Sequence, residues 1–274
     1  MTDFLFADGP LSTFGEYSNA AVFEIMKQYL RQERPIPVVE AVRRILELMK
    51  HRGEPIVWKL FARLVLDVAR KIPYRHVLQI HFIRLVTGIF YTLMTSSLQQ
   101  CTGSLCAAFD DALKAEYTWF PPRRLSTSSP NAPNYHSNVN VYAFAARLTE
   151  AQILKIHTGF VATALETAIG RAIAGGVSPE ERSARVSAAA MFIIYSGETI
   201  YARMLELRLE AQDDRYRYWR SGPSFPLADL SSWALWRAGF VDAAQSTALN
   251  GESRLLASKA AMLMSIIHQV RNWT

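Results

Sequence analysis

The chain has 274 residues, 50% hydrophobic and 20% charged, with 13 glycines and 12 prolines, which excludes a disordered, collagen-like or low-complexity chain. Its net charge of +6 rests on 30 bases of which seven are lysine, so the basic character is almost all arginine, a side chain suited to phosphates and carboxylates. A charge this small for the size reads as a solvated basic surface before it reads as a nucleic-acid footprint.

Met1–Leu11 lacks the positive region and long apolar run of a signal peptide. Helical periodicity then runs through the chain. Asn19 to Gln32 predicts a first amphipathic helix, halted by Pro35 and Pro37. Val38 to Arg52 follows, with apolar Val38, Val42, Ile45, Leu46 and Met49, and stops at Gly53 and Pro55. Ile56 to Lys71 repeats the pattern, with Arg63 and Asp67 as its solvated pair. Pro73 opens a helix from Tyr74 to about Gln100, apolar on most sides and therefore expected to be central. Its stretch Val77 to Leu98 is interrupted by Gln79, His81 and Arg84, which argues for a core helix over a membrane span. Ser104 starts another helix, to about Trp119.

Phe120 to Ser137, with Pro121, Pro122, Pro130 and Pro133, predicts a loop between two helical halves, 1–119 and 138–274, that together form one compact domain. Helices are expected at Asn140–Ala146, Glu150–Ile156 and Gly159–Ala174, the last stopped by Gly175-Gly176. Ser178, Pro179 and Glu181 supply N-cap, first-turn proline and capping box for a helix reaching Glu210. Gln212 to Leu230 reads as irregular, and Ser231–Ala244 and Glu252–Arg271 close the chain. Strand signals are absent. The expected class is all-α, a compact bundle of nine or ten helices without a sheet. Cys101 and Cys106, five apart on a helix, point to different faces and lack partners at zinc spacing. No disulfide is expected, and a reduced, cytoplasmic setting is.

Three segments of the second half carry a family resemblance. Asn138-Val139-Asn140-Val141-Tyr142-Ala143-Phe144-Ala145-Ala146-Arg147-Leu148-Thr149 is similar to an N-x-N-A-F-x-A-R-L-T signature. Phe192-Ile193-Ile194-Tyr195-Ser196-Gly197 is similar to a W-I-x-Y-A-G helix, and Leu230 to Phe240 to an R-W-x-F-W-x-x-R-F helix. These resemble the fungal family known as domain of unknown function 3632, and Val57-Trp58-Lys59-Leu60 and Ala69-Arg70-Lys71-Ile72-Pro73 resemble its early helices. The match runs from about Ile56 to the C-terminus in the family's order. Tyr142-Ala143 is inserted at the first signature, Phe192 replaces a tryptophan and Ser232 an arginine. The resemblance implies a fungal, helical, cytosolic protein and supplies no activity.

With no reaction motif, polar groups inside apolar stripes are the informative anomaly. Glu198 has Met191, Ile194, Tyr201 and Leu205 as its helical neighbours. Glu166 is flanked by Gly159, Ala162, Ile169 and Ile173, and Arg147 by Asn140, Ala143, Phe144, Ala151 and Leu154. His81 and Arg84 share a face with Gly88 and Tyr91. One reading is a pocket in which a buried carboxylate with a raised pKa moves protons. The other is that Arg147 pairs with Glu166 or Glu198 as a structural ion pair.

Other signals are weaker. Asp110, Asp111 and Glu116 are similar to the magnesium motif of class I terpene synthases, but the second ligand cluster that diphosphate chemistry needs is not found after residue 150. Asp213 to Arg220 interleaves arginines with aromatics, as a base-stacking segment or as a loop with its rings packed inward. Trp233 and Trp236 read as a core face.

The leading expectation is therefore a cofactor-independent enzyme of cyclase, isomerase or dehydratase type acting on a small apolar metabolite. Glu198, His81 and Arg147 are its candidate catalytic residues, and Tyr91, Arg84, Asn140, Glu166, Tyr195 and Trp236 its candidate substrate-binding residues, with no metal. The alternatives are a helical interaction scaffold and an RNA-binding protein. No membrane partner is expected, nucleic acid is disfavoured, and a homo-oligomer is compatible.

Overall fold

A computed structural model of the chain describes residues 13–14, 17–31, 33, 35–50, 55–96, 99–117, 135–154, 158–169, 177–212 and 230–272. The class is all-α. The described residues form ten helices and one two-residue antiparallel pairing, β1 (Thr13–Phe14) with β2 (Tyr17–Ser18). The helices gather into two compact units. Unit 1 spans Met1–Pro133 with Ala151–Lys155, and unit 2 spans Asn134–Glu150 with Ile156–Thr274.

Unit 1 holds α1 (Asn19–Leu30), α2 (Val38–Lys50), α3 (Pro55–Lys71), α4 (Val77–Thr95) and α5 (Gln99–Tyr117). α2 shows how the pattern folds. Ala41, Val42, Ile45, Leu46 and Met49 are buried on one side, while Glu40, Arg43, Arg44 and Glu47 form an outward ion-pair lattice at 2.6–2.7 Å. α3 and α5 pack together, with Phe61 edge-on to Phe109 at 6.5 Å and Phe90 of α4 tilted against Phe109 at 5.9 Å. Burying each ring contributes about 1.5–3 kcal/mol.

α4 starts later than the sequence suggests. His76 rather than Pro73 sets the start, its Nδ1 accepting from the Leu78 N–H at 3.2 Å. α4 is long and apolar enough to cross a membrane by length and composition. Eight of its residues are buried, but Val77, Ile80, Tyr91 and Met94 are exposed, so it lies at the side of unit 1. Asp67 also differs from expectation: it pairs with Arg70, one turn on, at 3.2 Å, and not with Arg63. After α6 the chain turns at Ala151–Leu154 where a short helix was expected. Gln152 adopts φ 59°, the left-handed conformation that ends helices. Cys101 and Cys106 form no disulfide, and Cys106 Sγ donates to the Ile153 carbonyl at 3.6 Å.

Unit 2 holds α6 (Tyr135–Glu150), α7 (Thr158–Ile169), α8 (Pro179–Gln212), α9 (Leu230–Gln245) and α10 (Gly251–Asn272). α8 is its axis. Every residue from Ser183 to Ile193 is buried, and α6, α7, α9 and α10 all pack against it. The expected cap is in place, with Ser178 Oγ accepting from the Glu181 N–H at 3.1 Å. Alanines and serines fill the α8 face and let α10 approach. There Ser253 Oγ donates to the Ser183 carbonyl at 2.9 Å and meets Ser187 Oγ at 2.9 Å, while Asn250 Oδ1 caps α10 through the Ser253 N–H at 2.8 Å. α8 kinks at Ser196 (φ −133°, ψ 15°), whose Oγ donates to the Phe192 carbonyl at 2.9 Å. Immediately after it, a Cβ on Gly197 would stand 3.1 Å from Ile267 Cδ1 and 3.9 Å from Trp233. The kink and the close approach seat α9 and α10 against the second half of α8.

Candidate functional site

In unit 2, the N-terminal half of α8 fixes the site because it is buried all round and cannot rotate without breaking the core. α6 lies along it, with Tyr142 edge-on to Phe192 at 5.8 Å. One turn further along both helices, the Arg147 guanidinium carbon sits 4.0 Å from the centroid of the Tyr195 ring. That cation–π contact stands one residue before the Ser196 kink. Arg147 is half-buried and its Nε is fully buried with no hydrogen-bonding partner. Among the described residues the guanidinium has neither an acceptor nor a counter-carboxylate. A buried donor left unmet costs about 1–3 kcal/mol, and stacking on an aromatic face returns about 0.5–2 kcal/mol.

The expected partners of Arg147 stand elsewhere. Glu198 is not a buried carboxylate: its side chain is 72% exposed and accepts from Arg271 at 2.8 Å, linking α8 to α10. The reason is that Glu198 lies on the flank of the buried stripe: Ile193, Gly197, Ile200 and Met204 carry that stripe past Ser196 at helical spacing, and the assumed core neighbours Ile194 and Leu205 are only half-buried. Glu166 is also exposed, because α7 buries Val161, Ala162, Leu165 and Ala168 and turns Glu166 outward. The expectation of an Arg147 ion pair with Glu166 or Glu198 is thus replaced by the stack on Tyr195.

Asn140 is half-buried on α6, and Trp236 is buried in α9. His81, Arg84 and Tyr91 belong to unit 1, along α4. Arg84 and Tyr91 are exposed and His81 is half-buried. The His81 carbonyl accepts from Tyr29 Oη at 3.1 Å. Burial raises the Tyr29 phenol above its usual pKa, against the pull of the Arg84 charge. Among the nine candidates, Arg147 and Tyr195 stand in direct contact on a pair of packed helices.

Sequence reasoning did not single out the Tyr201–His268 pair. Tyr201 is fully buried, its Oη 2.9 Å from His268 Nδ1 and its ring edge-on to Trp233 at 4.9 Å. Tyr201 read only as an apolar neighbour of Glu198, and the signal for the pair was a histidine on an otherwise core-facing phase of α10. Asp111 is engaged by Lys59 at 3.4 Å, and among the described residues no three His, Cys, Asp or Glu side chains gather as a metal site. The arginine–aromatic segment Asp213–Arg220 lies outside the described residues.

A family described as "Protein of unknown function (DUF3632)" matches residues 63–240, from inside α3 to inside α9, and so includes both Arg147 and Tyr195. Comparison with curated proteins and with solved structures finds no match.

Proposed function

The chain belongs to the DUF3632 family, and from that premise we propose that unit 2 binds a small, largely apolar metabolite at the contact of Arg147 with Tyr195. The observation that carries the reading is the meeting of two separated segments. Arg147, the one charged residue of the Asn138–Thr149 segment, lies 4.0 Å from the ring centroid of Tyr195 in the Phe192–Gly197 segment. Around that contact Ala143, Phe144, Leu148, Met191 and Phe192 are buried and apolar, which suits an apolar ligand body with one fixed polar anchor.

Cofactor-independent chemistry of cyclase, isomerase or dehydratase type is the finer form of this proposal. Arg147 then stabilises developing negative charge, and the Tyr195 hydroxyl is the proton-carrying group beside it. Glu198, committed to Arg271, has no part in that step. The test is mass spectrometry of the purified protein, native and then denatured, after exposure to a metabolite extract of the source organism. A retained small molecule, lost in an Arg147→Ala variant that keeps its circular dichroism spectrum, supports the reading. A ligand-free wild-type mass overturns it.

A second reading, a helical interaction protein, is favoured by one observation. α10 exposes Leu255, Met262, Ile266 and Val270 along one face. Sedimentation of the wild type and an Ile266→Glu variant over a range of concentrations tests its self-associating form. A mass that rises with concentration only in the wild type supports it, and two identical monomers remove it.

A further inference from the structure

Resting on the metabolite-binding reading, we infer that the ligand of unit 2 carries a carboxylate or phosphate-type oxyanion, received in the plane of the Arg147 guanidinium. Arg147 differs from six arginines that are paired. Arg43, Arg44, Arg70, Arg185, Arg203 and Arg271 each meet a carboxylate. Arg147 is half-buried and meets none among the described residues. The nearest acids along the two helices are Glu150, exposed at the end of α6, and Glu198, held by Arg271.

The direction of approach follows from the guanidinium itself, whose N–H groups all lie in its plane. Its central carbon sits 4.0 Å from the Tyr195 ring centroid, and its N–H groups meet no acceptor among the described residues. Two parallel N–H groups match the two oxygens of a carboxylate or two of a phosphate, and a neutral carbonyl or hydroxyl answers only one. The residues one turn back on the Arg147 face of α6, Ala143 and Phe144, are buried and apolar, so the anion is the polar end of an otherwise apolar molecule.

Benzoate, phenyl phosphate and benzyl alcohol are the probes, each titrated into the full chain and followed by isothermal calorimetry. Saturable binding of benzoate or phenyl phosphate, at least ~10-fold tighter than benzyl alcohol, is expected. Arg147→Gln should lose that preference. Arg147→Lys keeps the charge but not the fork, and should weaken binding by ~10-fold or more while melting near the wild type. Which anion binds more tightly separates carboxylate from phosphate chemistry. Equal binding of benzyl alcohol and the anions overturns the inference and leaves the metabolite reading standing. Unchanged anion affinity in both variants, or no anion binding by the wild type, also overturns it, while the retained-mass measurement judges the broader reading separately.

Discussion

Two glycines, both inside helices, should respond to the same substitution with opposite signs. Gly→Ala in a helix interior gains about 1 kcal/mol from backbone propensity. At Gly103 in α5 an added Cβ meets nothing within 4 Å, so the gain is realised in full. At Gly239 in α9 the same atom falls 3.0 Å from Ile169 Cβ and 3.3 Å from its Cγ1 and Cδ1. Carbon atoms are most stable about 3.5–4.0 Å apart. Ile169 cannot turn away, because its Cβ is fixed to the α7 backbone and its χ1 is stiff. Relief requires α7 and α9 to move apart by roughly half an ångström, and overpacking of this kind costs about 1–3 kcal/mol. The net expectation for Gly239→Ala is a loss of about 1 kcal/mol, against a gain of about 1 kcal/mol for Gly103→Ala. At about 2–4 °C per kcal/mol for a chain of this size, thermal unfolding followed by circular dichroism separates the two. A Gly239→Ala protein that melts at or above the Gly103→Ala protein refutes the close approach of α7 and α9.

Other outcomes follow from the same geometry. Ser253→Ala removes the hydroxyl that joins Ser183 and Ser187 inside unit 2 and should cost about 1–3 kcal/mol in denaturant unfolding, while Ser258→Ala on the exposed side of α10 stays within about 0.5 kcal/mol. Gln152, at φ 59°, should gain up to about 1 kcal/mol on change to Gly and lose about as much on change to Val, whose branched side chain fits that region worse; a stabilising Val would show that the turn is otherwise. Hydrogen bonds from Arg43 and Arg44 hold the exposed Glu40 carboxylate at about 2, below the usual 4.5. A depressed folded-state pKa means its contribution is present above 4.5 and lost as pH falls toward 2. Melting against pH should therefore be flatter over that range in Glu40→Gln, by a small amount that high salt erases, and identical acid limbs in both proteins would deny the lattice any role.

Most of the helices were legible because each carries an apolar stripe at helical spacing. α2 shows this most plainly, with its buried Val42, Ile45 and Met49 and its outward charges. The start of α4 was not, because Pro73 is a strong local signal and the cap formed by His76 Nδ1 is an uncommon one. Glu198 was misplaced for a different reason. Helical-neighbour arithmetic set it on a stripe with Ile194 and Leu205, which are only half-buried, whereas the buried stripe runs through Gly197, Ile200 and Met204. Arg147 was found because a cation in an apolar segment is conspicuous. Its pairing with Tyr195 was not, because α6 and α8 meet through contacts that sequence spacing within either helix does not encode. Tyr195 and Arg147 were both picked out singly, and only the fold joins them.

The central claim, that Arg147 is an anchor waiting for an oxyanion, is tested most directly on its own proton. Its Nε–H is buried without an acceptor, so it should give a distinct, slowly exchanging arginine Nε–H signal in a nitrogen-15 spectrum, assigned by its loss in Arg147→Lys. Titration with benzoate should shift that signal as the carboxylate engages the terminal nitrogens of the same guanidinium, with Tyr195 ring protons shifting alongside it. A signal that keeps its position and exchange rate up to saturating benzoate, while benzoate perturbs resonances elsewhere, would contradict the account.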